Sequence, residues 1–193
     1  MLPEILYKYR SLADCISFGR FVDIILNKRL YAASYKEFQE FDPLEGHYRF
    51  QSEELKQAIR TKLQDDKKRF RLCSLSQRSD NAEMWSQYAD NQKGVAIGVK
   101  MDIRKCKYEV IPIDYNSDEI VSIDDQWEAI DILSHKLKNY ANEEEVRVFV
   151  KNEKWIKVQI EEVITGRSMS KEDYTFLENL IKRIDPSIKI TKA

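Results

Sequence analysis

Two kinds of apolar spacing alternate along this chain. Apolar residues recur at every second position in short runs such as 69–76 and 145–150, and this period predicts β-strands. Between such runs they recur every three or four positions, as at Phe18, Phe21 and Ile25, which predicts amphipathic helices. The predicted strands are 7–10, 30–33, 69–76, 94–99, 108–115, 145–150, 155–164 and 188–190. The predicted helices are 18–27, 52–66, 80–90, 125–140 and 170–184.

The order of these elements indicates the fold class. Helices and strands are interleaved without a repeat, a linker or a low-complexity tract. A chain of 193 residues that is 42% hydrophobic can bury one core of ordinary size. We therefore expect a single compact α+β domain over residues 1–193, with a mixed, largely antiparallel sheet and flanking helices.

Charge and composition limit the partners and the compartment. The chain carries 32 basic and 33 acidic residues, so a net charge of −1 provides no strong attraction for nucleic acid or an anionic membrane. The three cysteines are odd in number and far apart, which favours a reducing environment over a disulfide framework or a zinc site. Charged residues near the N-terminus and the lack of a long apolar run predict a cytoplasmic protein without a membrane partner.

The strongest candidate for chemistry is a charged cluster at the start of the 145–150 strand. In an extended chain Glu143, Glu145 and Arg147 would share one face, while the intervening valines pack on the other. Neighbouring carboxylates repel each other, so each must be solvated or paired with a cation or a metal. Two interpretations stay open at this point: a functional site, or a solvated edge strand with Arg147 as the counter-charge.

Several strings of the sequence resemble one bacterial family. They are residues 6–10, 30–34, 42–46, 73–76, 84–90, 93–99, 163–166 and the Glu-x-Glu-x-Arg of 143–147. Their content and order resemble the family known as domain of unknown function 2971 across nearly the whole chain. Phe41 stands where that family usually has asparagine, and Tyr140 stands where tryptophan is commoner. The resemblance implies a fold and a set of shared positions but no activity.

The order of three motifs is also similar to that of one class of ADP-ribosyltransferases. The similarity implies that Arg10 pairs with the pyrophosphate of NAD, that the strand with Ser74 and Ser76 supports the nicotinamide pocket, and that two acids perform the chemistry. Glu145 would bond a ribose hydroxyl as nicotinamide leaves, and Glu143 would orient or deprotonate the incoming nucleophile.

The same similarity implies three aromatic walls around NAD. They would be Tyr9, Tyr31 and Trp85. The expected partner is then a dinucleotide substrate, with a macromolecular acceptor or with water in an NAD hydrolase, and no metal is expected.

Two other functions fit the same residues. Asp42 and Glu45, on a predicted loop, could join Glu143 and Glu145 around Mg²⁺ or Mn²⁺ in a phosphodiester hydrolase. In a non-catalytic ligand- or partner-binding module, Asp42 would instead bond backbone amides and Glu45 would pair with an arginine, either Arg10 or Arg147. Trp85 would then belong to the core of an amphipathic helix.

Overall fold

The computed structural model describes residues 2–41, 46–101, 108–117 and 121–193, with the side chains of residues 41, 116 and 117 left out. Its strands are β1 (Leu6–Arg10), β2 (Arg29–Tyr31), β3 (Ala33–Ser34), β4 (Arg49–Phe50), β5 (Phe70–Ser76), β6 (Val95–Lys100), β7 (Glu109–Pro112), β8 (Asp114–Ser117), β9 (Ser122–Ile123), β10 (His135–Leu137), β11 (Glu145–Lys151), β12 (Trp155–Lys157), β13 (Gln159–Thr165) and β14 (Lys189–Lys192). Its helices are α1 (Cys15–Asn27), α2 (Tyr35–Phe41), α3 (Glu53–Arg69), α4 (Ala82–Tyr88), α5 (Ala129–Leu133) and α6 (Lys171–Ile184), with a 3₁₀ helix at Lys138–Glu143.

The chain divides into two compact units, and neither is a continuous stretch of sequence. The first unit comprises Met1–Leu30, Ser74–Cys106 and Trp155–Ala193, and the second comprises Tyr31–Cys73 and Lys107–Lys154. The boundary between Cys73 and Ser74 falls inside β5, so this strand contributes residues to both units.

The first unit is built on a mixed sheet. Its strands lie in the order β14, β13, β6, β1 and the last residues of β5. β13 and β14 run parallel, whereas the pairings of β13 with β6, of β6 with β1 and of β1 with β5 are antiparallel. Helices α1 and α6 pack together, and α4 packs beside β1. The predicted α+β class, with a mixed, largely antiparallel sheet and flanking helices, is confirmed.

Polar side chains cap the helices of the first unit. Asp14 accepts two backbone N–H groups in the first turn of α1, and Ser170 accepts one, that of Asp173, in the first turn of α6. For α4 the sequence predicts that Asp80 is the cap, but Asn81 takes that role by accepting from two backbone N–H groups. Asp80 is instead bound by the Arg78 side chain at 2.8 Å, so a nearby arginine competes successfully for its carboxylate.

The second unit holds β11 between two other strands. β7 pairs antiparallel with one side of β11, β5 is its other neighbour, and β3 pairs with β5. Two short parallel pairs, β8 with β10 and β4 with β9, lie outside that sheet. Helix α3 packs against α2 and α5, and its buried Leu63 contacts a core that includes Ile123 and Ile132.

The predicted helix over 125–140 is wrong. The helix α5 stops at Leu133, the chain then extends as β10, and a 3₁₀ helix follows. The Ser134 hydroxyl donates to the carbonyl of Ile130 at 2.7 Å, and His135 then pairs with Asp114 of β8. Strand pairing with β8 outweighs the helical spacing of apolar residues in this stretch, because propensity is a weak prior against tertiary contacts.

Among the described residues, no helix combines the length and the apolar character needed to cross a bilayer. The prediction of a single domain over residues 1–193 stays a prediction.

Candidate functional site

The acidic cluster of the sequence lies at the start of β11 in the second unit. Its residues are buried from Glu145 to Val150, so side chains on both faces of the strand are covered. With β7 on one side and β5 on the other, β11 is an internal strand of the sheet. The interpretation of this segment as a solvated edge strand is therefore wrong.

Glu143 reaches the cluster by a different route from the predicted one. It ends the 3₁₀ helix, and Glu144 then takes a left-handed backbone conformation with φ of 45° before β11 begins at Glu145. Alternation along an extended chain therefore does not extend back to Glu143. The Lys136 ammonium joins the two acids instead, because its Nζ lies 2.6 Å from Glu143 Oε2 and 3.5 Å from Glu145 Oε2.

Arg147 is the counter-charge of Glu145, although the strand that carries both residues is neither solvated nor at an edge. Its Nε donates to Glu145 Oε1 at 2.7 Å, and a second guanidinium nitrogen donates to Oε2 at 3.2 Å. A further bond of 2.6 Å reaches the carbonyl of Leu133, and the guanidinium lies 4.8 Å from the centre of the Phe38 ring. This fully buried arginine thus uses the planar fork that suits a carboxylate.

Two tyrosines also contact the charged cluster. The Tyr115 hydroxyl accepts the backbone N–H of Glu145 at 2.9 Å, and the Lys136 ammonium lies 4.5 Å from the centre of the Tyr140 ring. Burial raises the pKa of the Tyr115 phenol, and the nearby charges of Glu145 and Glu143 raise it further. The phenol is therefore neutral at physiological pH, and the charges in the cluster are those of its two acids and two bases.

This arrangement satisfies its carboxylates internally. Glu143 is 4% exposed and Glu145 is 5% exposed, and the two face two cations, the fully buried Arg147 and the partly buried Lys136. Both oxygens of Glu145 already accept hydrogen bonds from Arg147. A glutamate that bonds a ribose hydroxyl or a metal needs an oxygen that the ligand can reach. The arrangement is that of an internal ion network.

Two predicted stacking residues lie together in the first unit. Tyr9 and Trp85 are each 4% exposed, and their rings meet edge to face with centroids 5.2 Å apart. The Tyr9 hydroxyl donates to the carbonyl of Arg78 at 2.9 Å, and the Trp85 indole N–H donates to that of Ser79 at 2.8 Å. Both polar ends are satisfied and both rings belong to a buried cluster with Ala96, as the interpretation of Trp85 as a core residue predicts.

The two serines of β5 and the arginine of β1 leave their strands on different faces. Ser76 lies directly opposite Tyr7 in the antiparallel pair, so the two side chains share a face of the sheet. Arg10 has the opposite parity to Tyr7 along β1 and therefore leaves the strand on the other face. Ser76 is fully buried, and the carbonyl of Ser74 accepts from the Lys8 ammonium at 2.7 Å. Within the first unit, Arg10 and Ser76 do not point into a common pocket on one face.

Tyr31 lies in the second unit within an exposed polar group. Its hydroxyl donates to Glu37, and Arg71 donates to the same hydroxyl at 2.8 Å. Bonds from Ser34, and then from Tyr31, lower the pKa of Glu37 to about 2. The structure thus brings Glu143, Glu145 and Arg147 together in one unit and Tyr9 with Trp85 in the other. Asp42 and Glu45, the loop acids of the metal hypothesis, lie outside the described residues.

The second unit also contains an open groove that the sequence patterns do not predict. Its volume is about 520 Å³, and it lies between the β4 region and one face of α3. The lining residues are Tyr48, Arg49, Phe50, Glu53, Lys56, Arg60 and Gln64. The signal in the sequence is the spacing of 53, 56, 60 and 64, which places these α3 residues on one helical face. The two aromatic residues ahead of the helix, Tyr48 and Phe50, do not by their position in the sequence indicate that they lie opposite this face of α3.

No group of three or more histidine, cysteine, aspartate or glutamate residues is arranged to hold a metal ion in the described part of the chain. The resemblance to the bacterial family and the similarity to ADP-ribosyltransferases stay predictions. Comparison with models of known protein families, with curated proteins and with solved structures finds no match for this chain.

Proposed function

We propose that this protein is a non-catalytic ligand-binding module in which the acid pair Glu143 and Glu145 has a structural role. The observation that carries the proposal is the pairing of each acid with a base of its own. Glu145 is held bidentately by Arg147, Glu143 is held by Lys136, and all four side chains are nearly or fully buried.

The energetics of buried ions support this role. Taking a charge out of water costs several kcal/mol, and a close opposite charge with good geometry is needed to offset that cost. In this cluster each acid has such a partner at 2.6 or 2.7 Å. A substrate that engaged Glu145 would have to displace Arg147 and leave that guanidinium buried without its anion. The cluster is therefore better suited to fixing the start of β11 than to catalysis.

The placement of the other residues supports the same proposal. An ADP-ribosyltransferase site needs its arginine and its serine strand to face the same dinucleotide, but Arg10 and Ser76 leave the sheet on opposite faces. Tyr9 and Trp85, which would stack on NAD, are in contact with each other instead.

An NAD cleavage assay tests the proposal. Purified protein is incubated with NAD labelled in the nicotinamide ring, and released nicotinamide is separated and counted. We expect wild type to release no more than a protein-free blank, and Glu145→Gln to match it. Glu178, a partly exposed residue whose partner is Lys182 at 2.7 Å, supplies the matched control Glu178→Gln. The proposal would be overturned if wild type and the Glu178→Gln control released nicotinamide and Glu145→Gln did not. Circular dichroism would have to show that the Glu145→Gln fold is intact.

A second arm covers hydrolysis with a metal. The protein is incubated with a chromogenic phosphodiester in the presence of Mg²⁺ or Mn²⁺. We expect no turnover above the blank. Metal-dependent turnover that Asp42→Asn abolishes would replace the proposal with the hydrolase.

A further inference from the structure

Two arginines, Arg60 on α3 and Arg49 on β4, give the groove unbalanced positive charge. Glu53 accepts from the Lys56 ammonium at 2.7 Å, so these two side chains neutralise each other. Arg49 and Arg60 are both exposed, and neither forms an ion pair with an acid in the part of the chain that the structure describes. Two guanidinium groups are therefore available to an anion, although the whole chain has a net charge of −1.

The β4 side of the groove also carries two aromatic residues. The rings of Tyr48 and Phe50 meet edge to face with centroids 5.1 Å apart, and both side chains are half-buried. Their inner parts pack on the core around Leu63, which holds the rings in place while the remaining surface lines the groove. Burial raises the pKa of Tyr48 and the charge of Arg60 lowers it, which is consistent with the guanidinium lying near this ring.

Together these walls match the parts of one ligand class. Guanidinium groups bind phosphate oxygens bidentately, and aromatic rings stack on nucleobases. Gln64 adds an amide that can both donate to and accept from the edge of a base. A volume of about 520 Å³ lies within the usual range of small-molecule sites. We infer that the groove binds a nucleoside phosphate, with Arg49 and Arg60 on the phosphates and Tyr48 and Phe50 beside the base, an inference that rests on the proposed binding function.

A mononucleotide fits the charge better than a long polyanion does. Binding of a nucleic acid chain draws on a positive field that extends over many phosphates. This chain is close to neutral overall, and the groove concentrates two unbalanced arginines at one place. That distribution suits one or two phosphate groups.

Isothermal titration calorimetry of the full chain tests the inference, with ADP, GDP, CDP and UDP as probes. We expect at least one diphosphate to bind. Its free nucleoside and inorganic phosphate should each bind at least about tenfold more weakly, because each lacks one half of the contacts. Arg60→Gln should weaken the diphosphate roughly tenfold, as expected for the loss of a charge-assisted bond. Arg69→Gln is the matched control, since nine residues further along α3 lie about 180° around the helix.

A second variant separates the two walls. Phe50→Leu should weaken the diphosphate and the nucleoside but leave phosphate binding unchanged. Failure of all four diphosphates to bind, or an Arg60→Gln affinity equal to that of wild type, would overturn the inference. Tighter binding of a single-stranded oligonucleotide than of every diphosphate would overturn it in favour of a nucleic-acid groove.

Chromatography of the nucleotide after titration separates the two proposals. An intact, bound nucleotide supports both. A bound nucleotide that is converted to product leaves the site in place but contradicts the non-catalytic function. An intact nucleotide that shows no binding contradicts the site alone.

Discussion

Arg147 is the residue on which the ion network of the second unit depends most. It is fully buried, it bonds both oxygens of Glu145, and it also reaches the carbonyl of Leu133. Removing one partner of a buried pair strands the other as an uncompensated charge. We therefore expect Arg147→Met to lower the free energy of unfolding by about 3–5 kcal/mol. Urea denaturation followed by circular dichroism measures the change.

A double variant and a surface pair sharpen this test. Glu145→Leu together with Arg147→Met removes both charges, so it should cost clearly less than Arg147→Met alone. Glu178→Gln, which breaks the exposed pair with Lys182, should change stability by no more than about 0.5 kcal/mol. An Arg147→Met protein as stable as the Glu178→Gln control would show that the network is not structural.

Lys67, a buried lysine of α3, gives the stability of the protein a predictable pH dependence. Lys67 is 3% exposed, and its ammonium donates to the Tyr35 hydroxyl at 3.0 Å and to the carbonyl of Gly46 at 3.2 Å. It also lies 4.5 Å from the centre of the Tyr48 ring. Burial lowers its pKa from 10.5 to about 8, because the charged form loses its water.

The sign of the effect follows from proton binding. Between about pH 8 and 10.5 the unfolded chain keeps a proton on Lys67 that the folded protein has released, so stability rises with pH. Above about pH 10 the raised pKa of Tyr48 acts in the opposite direction, because the unfolded phenol ionises first. We expect wild type to gain about 2 kcal/mol from about pH 7 to about pH 9.5 in urea unfolding. Lys67→Met should remove this gain, whereas Lys62→Met, on an exposed position of α3, should keep it; equal slopes in all three proteins would contradict the prediction.

At the scale of elements, two glycines with opposite surroundings predict opposite effects. A Cβ on Gly94, just before β6, would lie 2.2 Å from the backbone oxygen of Arg10 on β1. A Cβ on Gly19, inside α1, would meet nothing within 4 Å. Gly94→Ala should therefore destabilise the protein by about 2 kcal/mol or more, because β1 and β6 would be forced apart.

The matched substitution Gly19→Ala should stabilise the protein by about 0.5–1 kcal/mol, since alanine restricts the unfolded chain and favours the helix. Thermal unfolding of both variants beside wild type measures the two shifts. A neutral Gly94→Ala would show that the strands can separate without cost.

The helices and strands also show which parts of the fold the sequence patterns could predict. The strand β11 was predicted over 145–150 and found at Glu145–Lys151, because its β-branched run agrees with its burial. The helix predicted over 125–140 failed where β10 pairs with β8, a contact between distant residues that spacing cannot reveal. Glu143 joined the cluster through Lys136, and no local period connects those two positions. The groove needed both α3 and the β4 region, so only the assembled unit disclosed it.

At the scale of the whole molecule, the path of the chain limits how the units can unfold. The first unit consists of three segments and the second of two, and the boundary inside β5 divides one strand between them. In the first unit β5 supplies Ser76 as the partner of Tyr7, and in the second it supplies Leu72 as the partner of Ala33. Loss of β5 therefore removes strand pairing from each unit. We expect one cooperative unfolding transition.

Hydrogen exchange read in one unit after a change in the other tests that expectation. Leu72 is 1% exposed in the second unit, and Leu72→Ala should cost about 2–5 kcal/mol. If unfolding is cooperative, amides of β6 in the first unit and of β11 in the second should lose protection by the same free energy, as measured by mass spectrometry. Ile181→Ala, from the buried face of α6 in the first unit, supplies the reciprocal variant and should expose β11 equally. Loss of protection confined to the unit that carries the substitution would instead establish two independent foldons. The division of β5 would then mark a point where one part of this strand can fray while the other part stays paired.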